Sequence, residues 1–302
     1  MDSDRDRDQP RDQRSIGQLI REGVRSISFE FMPPKDEAGV EQLWSAIRDL
    51  EPYQPTFVSV TYGAGGTTRD TTVSITGRIA RETSMRAMGH LTCVGHTREE
   101  LVDILRSYRE AGVRDVLALR GDPKEGPTAP WTPTAGGLTY ASELVALAHE
   151  LGGFSIGVAA FPEAHPSAAS KDADARVLVA KAEAGAEFAV TQLFFRASDY
   201  AGLVDRVRAL GCDLPILPGI MPITNLKQVT RMAELSGADL PDEVLSRFDG
   251  IVEPADVRRV GVEIATELCQ QVLELGAPGL HFYTLNRSRA TLEIFDALRI
   301  IV

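Results

Sequence analysis

Ser28-Phe29-Glu30-Phe31-Met32-Pro33-Pro34 closes the first strand-like run of the chain, and the pattern it sets recurs to the end of the sequence. A short apolar run rich in β-branched or aromatic residues halts at a polar residue and a turn, and a longer amphipathic stretch follows. Strand-like runs fall at 25–31, 56–62, 86–92, 115–120, 155–161, 188–194, 214–220 and 279–285. Helix-like stretches between them include 40–50, 98–111, 142–151, 172–184 and 198–210. Ala-Gly at 111–112 and 184–185 and Leu-Gly at 210–211 and 275–276 supply helix stops just before strands.

Eight such units predict an α/β fold, a single (β/α)8 TIM barrel. An open doubly wound sheet would give the same alternation, but its best marker, Gly-x-Gly-x-x-Gly after the first strand, is missing. The interval between strands seven and eight holds two helix-like stretches, 225–237 and 255–276, so an additional helix is expected there. No repeat or linker divides the chain, and the expected organisation is a disordered tail over 1–14 followed by the catalytic barrel over 15–302.

Length and composition agree with one barrel. The 302 residues exceed the roughly 250 that the fold typically needs, and a 43% hydrophobic content is enough for a packed core. A net charge of −11 opposes a nucleic-acid partner, which would call for a basic face. The mixed-charge N-terminus is neither a signal peptide nor a membrane anchor. Cys93, Cys212 and Cys269 have no paired spacing, which predicts a reducing, cytoplasmic setting with no disulfide framework.

In such a barrel, catalytic groups come from the C-terminal ends of the strands. The chain sets a polar residue at seven of these ends: Glu30, Thr61, His90, Asp122, His165, Gln192 and Arg287. Alternation turns Glu30 away from Phe29 and Phe31 and toward the interior. It reads either as a rim ion pair or as a general acid, its neutral form favoured by apolar neighbours, that protonates a leaving nitrogen. Asp122, after Arg120-Gly121, reads either as a loop bridge to Arg120 or as a carboxylate for a hydrogen-donating heterocycle. Gln192 can donate and accept at the edge of a pterin or flavin, with a satisfied core amide as the rival account.

Phe194 and Phe195 read as core. The Gly-rich turn over 62–69 lets backbone N–H groups approach a ligand, but it lacks the lysine of a Walker loop. His90, Cys93 and His96 are evenly spaced, yet a continuing strand would send the first two to opposite faces and no fourth ligand is evident, so no metal site is expected.

Eight ordered segments, 28–34, 57–64, 90–93, 118–122, 158–166, 191–195, 218–222 and 281–287, together resemble the signature set of the bacterial-type methylenetetrahydrofolate reductase family. The resemblance runs from about Ser26 to the C-terminus. It implies non-covalent FAD, NADH or NADPH as co-substrate, a reduced folate as substrate, and ping-pong hydride transfer to 5,10-methylenetetrahydrofolate that supplies methyl groups for methionine synthesis. By the same resemblance Glu30 is the acid that opens the folate ring, and Asp122 binds the pterin and steadies its developing positive charge. Gln192, Gln228 and Arg287 are implied as folate contacts. Thr61, His90, Arg120, Gly121, Asp122, Tyr140, Ala141, Phe161, His165, Asp174 and Lys181 are implied as the flavin-binding set.

Phe161 stands where some relatives have Tyr, and Val177 and Ala180 stand where some have polar contacts to the flavin's diphosphate or adenosine arm. The loop 65–68 also departs from the enterobacterial pattern, which leaves NADH against NADPH open. Three alternatives stay in view at this point: a flavin-independent reductase with direct hydride transfer, a non-catalytic flavin or folate sensor, and a methyl-transferring barrel, the last disfavoured by the missing Cys/His cluster. A homo-oligomer built through barrel-side helices is compatible with the resemblance, though no stripe in the chain specifies it.

Overall fold

A computed structural model describes residues 14–63, 69–123, 126 and 129–300. The tail expected over 1–14, except Arg14, and the Ala64 to Thr68 part of the Gly-rich turn lie outside these residues. Eight parallel strands close on themselves: β1 Ser26–Phe31, β2 Phe57–Val60, β3 Ala87–Thr92, β4 Asp115–Leu119, β5 Ser155–Ala160, β6 Phe188–Leu193, β7 Ile216–Ile220 and β8 Gly279–Tyr283. β8 pairs back onto β1, with Ser26 opposite Gly279 and Glu30 opposite Tyr283. The predicted barrel is what forms.

Helices α1 Ile16–Arg21, α2 Glu37–Leu50, α3 Arg69–Glu82, α4 Arg98–Glu110, α5 Ala141–Leu151, α6 Lys171–Glu183, α7 Ala197–Ala209, α8 Leu226–Ser236, α9 Asp242–Leu245, α10 Pro254–Glu274 and α11 Arg289–Leu298 complete the described chain. The glycines read as helix stops, Gly112, Gly185, Gly211 and Gly276, all take positive φ, which a residue with a Cβ adopts only at a cost. Between β7 and β8 the expected extra helix is present, accompanied by the single turn α9, which sequence periodicity did not predict. Their apolar faces share a second core, in which Val229, Val244, Phe248 and Ile264 pack with Phe195 and Met221 at the ends of β6 and β7.

The barrel interior is solid at its N-terminal end. Phe57, Met88, Leu117, Phe188, Val190 and Leu217 pack together beneath Ile16 and Ile20 of α1, which plugs that end. Ser15 caps α1 through a capping box with Gln18, and its hydroxyl also donates to Glu187 just ahead of β6. On the outside, Phe29 and Phe282 of the closing strands pack against Phe295 of α11, with ring centroids 5.8 and 5.2 Å away. Hydrocarbon thus fills the barrel interior at this end. Among the described residues no helix is long and apolar enough to cross a membrane.

Candidate active site

Three strands aim one polar cluster into the C-terminal half of the barrel. Glu30 on β1 places Oε2 3.5 Å from Nε2 of His90 on β3 and 3.5 Å from Nε2 of His281 on β8. His281 in turn sets Nδ1 2.8 Å from the Ser28 hydroxyl. Both imidazoles are nearly sealed, His90 at 5% and His281 at 1% exposure, and neither Nε2 has a hydrogen-bond partner at normal length. Burial, with His281 beside it, pushes His90 down to about 4, although Glu30 pulls the other way.

The expectation that Glu30 sits among apolar neighbours is corrected here. The alternation that aims Glu30 inward sends Phe29 and Phe31 outward into the helix layer, so the acid meets imidazoles instead. Tyr283, two residues beyond His281, also faces inward and donates across the barrel to the Thr191 carbonyl at 2.6 Å. Sequence reading assigned no role to Ser28, His281 or Tyr283. The signal was present, because Ser28 and Glu30, like His281 and Tyr283, are two residues apart on one strand and therefore share a face.

A second cluster lies at the ends of β4 and β5 and on α6. The Arg120 guanidinium is 3.3 Å from His165 Nε2, 3.8 Å from Asp122 and 4.7 Å over the Trp131 ring. Lys181 reaches back from α6 to donate to the Ala159 carbonyl at 2.9 Å, and burial pushes its ammonium down to about 8. Burial also raises Asp174 and Asp122 above the ordinary carboxylate range, opposed by Lys181 and Arg120 respectively. Phe161 packs edge-on to His165 at 4.8 Å. Gly121 holds φ +80, and a Cβ there would fall 2.4 Å from Val94, so the chain passes close at this bend.

Burial, with Arg120 and Lys181 nearby, pushes His165 down to about 4. Between about 6.5 and 4 the unfolded chain therefore binds the proton and the folded one does not, so this residue's stabilising contribution is present above pH 6.5 and fades as pH falls through that window. Asp115, raised to about 7 by burial, contributes in the opposite sense. The clean measurement is thus the difference in unfolding free energy between the wild type and His165→Gln. That difference should decline from pH 6.5 toward 4 with a slope approaching one proton, and a flat difference would contradict a buried neutral imidazole.

The remaining expected residues are more dispersed. Gln192 falls where the β6–β7 register breaks, between Val190 and Leu193, and a bulge of this kind re-aims side chains at a barrel rim. Its Oε1 accepts from the Leu193 N–H at 2.9 Å, which leaves the amide NH2 for another acceptor. Gln228 is exposed near the start of α8, and Arg287 is exposed just beyond β8. Thr61 follows β2, its N–H on the Phe31 carbonyl and its carbonyl on Thr72. Tyr140 and Ala141 open α5; Tyr140 is 60% exposed while Ala141 is buried.

A cavity of about 1020 Å³ lies at the opposite end of the barrel, between α1 and the strand starts, and is lined by residues that include Arg14, Gln18, Arg86, Arg114 and Asp115. It contains none of the residues at the C-terminal strand ends, where barrels place their chemistry.

The sequence model described as methylenetetrahydrofolate reductase matches residues 15–299. The 5,10-methylenetetrahydrofolate reductase of Pectobacterium carotovorum subsp. carotovorum is 41% identical over 279 residues, covering 92% of this chain and 91% of that protein. The enzyme of the same name from Escherichia coli strain K12 is 40% identical over 278 residues, covering 92% of each. Among solved structures, a Clostridium thermocellum protein described as binding two copies of 5-methyl-5,6,7,8-tetrahydrofolic acid superposes with a TM-score of 0.68 at 11% identity, over 95% of this chain and 100% of that one, a likeness of fold alone.

Proposed function

The chain belongs to the methylenetetrahydrofolate reductase family, an enzyme family, and from that premise we propose that it reduces 5,10-methylenetetrahydrofolate to 5-methyltetrahydrofolate with NAD(P)H and non-covalent FAD, in ping-pong order. The observation that carries this reading is the inward-facing Glu30, held between His90 and His281 at the end of the barrel where enzymes of this fold work. The methyl product would feed methionine synthesis. Cysteines with no disulfide among them suit a reducing cytoplasm.

The residues fit FAD. A dinucleotide carries a diphosphate, and Arg120 and Lys181 offer two cations beside the backbone bend at Gly121. Lys181 is desolvated, with the Ala159 carbonyl as its hydrogen-bond acceptor and Asp174 nearby, and a further anion beside it would favour its charged form. Arg120, His165 and Lys181 would hold the phosphates, while Thr61, His90, Gly121, Asp122, Tyr140, Ala141, Phe161 and Asp174 would line the rest. When bound, FAD supplies the two-electron carrier that lets the nicotinamide leave before the folate enters.

The chain's own residues handle the proton and the charge. Glu30 donates its proton to the folate nitrogen as the C–N bond of the five-membered ring breaks, which leaves a 5-iminium carbon to receive hydride and become the methyl group. Asp122 lies beyond β4 on the same rim and provides the negative charge that steadies this cation. Gln192 offers its free amide to the pterin edge, and Gln228 and Arg287, both exposed, contact the more distal folate.

An absorbance spectrum of the purified protein from about 300 to 550 nm, followed anaerobically, tests the reading. A flavin band that bleaches with NADH or NADPH and returns with methylenetetrahydrofolate is expected. A colourless protein that consumes the nicotinamide only when folate is present would keep the reaction and remove FAD.

A further inference from the structure

We infer that Ser28 and His281 form a positioning pair for Glu30: the serine hydroxyl fixes the imidazole as its Nε2–H tautomer, and so presents an N–H to the Glu30 carboxyl, 3.5 Å from Oε2. The inference rests on the proposed role of Glu30 as proton donor and extends it to the residues that orient its carboxyl.

Ser28 has one hydroxyl hydrogen and two acceptors within reach. His281 Nδ1 is at 2.8 Å and the Leu280 carbonyl at 3.4 Å. The shorter contact is at ordinary O–H···N length and the longer is at the limit, so the hydrogen goes to Nδ1. A neutral imidazole with an acceptor at Nδ1 carries its own hydrogen on Nε2. That atom is buried, has no other partner, and stands 3.5 Å from Glu30 Oε2. Phe57 stacks on the ring at 5.8 Å and Tyr283 packs against its edge at 5.4 Å, which fixes the ring plane.

His90 Nε2 approaches the same oxygen at 3.5 Å, so imidazoles from two strands converge on Glu30 at Oε2. The groups facing Glu30 are His90 from β3 and His281 and Tyr283 from β8; burial and the nearby Glu30 keep the Tyr283 phenol neutral far above its ordinary range.

The chain contains five histidines, few enough for long-range 1H–15N spectra of the labelled protein to resolve each ring. His281, assigned by loss of its signals in His281→Gln, should appear as the Nε2–H tautomer, and Ser28→Ala should convert it to a mixture. In kinetics, His281→Gln keeps an N–H donor near the Nε2 position, whereas His281→Asn keeps only the Nδ1 side. The glutamine variant should retain folate reduction within a few-fold, and the asparagine variant should lose roughly ten- to a hundredfold in kcat, with little change in KM. Ser28→Ala should shift the pH profile of the folate step alone.

An Nδ1–H tautomer in the wild-type protein, or equal loss in the two His281 variants, would overturn the pairing while leaving Glu30 as the acid. Should His281→Asn fail to fold, the wild-type spectrum decides. Unimpaired folate reduction in Glu30→Gln would instead remove the acid itself, and the pairing with it.

Discussion

Glu30→Gln should lower kcat/KM for methylenetetrahydrofolate by on the order of a hundred- to ten-thousandfold while leaving nicotinamide oxidation with an artificial electron acceptor close to the wild-type rate. Glutamine matches glutamate in size and can still meet His90 and His281, which lie 3.5 Å from Oε2, so the cluster's packing survives the exchange. What an amide lacks is a proton to give. The step that suffers is therefore the one in which a ring nitrogen must leave, and the step in which hydride departs the nicotinamide has no such demand. Stopped-flow measurement of the two half-reactions separates them. Equal slowing of both would point to a collapsed site, and survival of both would remove Glu30 from the chemistry and favour a binding protein.

The contrast between half-reactions also distinguishes the two clusters at the barrel mouth. Arg120, His165 and Lys181 hold cations or neutral donors beside half-buried acids, an arrangement suited to binding an anion. Glu30, His90 and His281 share one contested oxygen, an arrangement suited to controlling a proton. Losses in the first cluster should surface as cofactor affinity and losses in the second as rate.

The barrel was legible in the chain because each strand carries its own signal. The runs around Val116 and Val190 are apolar on both faces, as strands buried between helices and barrel interior must be, and Gly112 and Gly185 stop the preceding helices. Glu30 was legible because period-two alternation is a local property. The single-turn α9 and the six-residue α1 were not, since both are too short for a 3.6-residue period to register, and α1 is held through Ile16, Ile20 and the Ser15 contact to Glu187, distant in sequence. The company Glu30 keeps was hidden for a related reason. That His90 and His281 converge on it depends on the register of β1 against β8 and on closure of the whole ring. The bulge at Gln192 likewise belongs to the pairing of β6 with β7 and to neither strand alone.

Closure itself depends on Gly279, and Gly279→Ala should destabilise the protein by about 4 kcal/mol or more, the upper end for a single substitution. A Cβ at this position would lie 1.9 Å from the Ser26 carbonyl oxygen, 2.6 Å from its carbon and 2.7 Å from its nitrogen. All three are backbone atoms of β1 in the closing ladder, where the Ser26 N–H donates to the Pro278 carbonyl at 2.9 Å, so no side chain can swing aside. Gly23→Ala provides the comparison: its site is open, with nothing within 4 Å, and only its φ of +85 is strained, at roughly 1 kcal/mol. Denaturant unfolding of the two variants should separate them by several-fold in free energy, and equal costs would mean the seam between β1 and β8 is loose. The seam matters to chemistry because His281 and Tyr283 lie two and four residues beyond Gly279. A slip of one residue in β8 would turn both out of the barrel and leave Glu30 without its Nε2–H partner. Any Gly279→Ala protein that folds by such a slip should therefore keep nicotinamide oxidation and lose folate reduction, reproducing in the backbone the signature of Glu30→Gln.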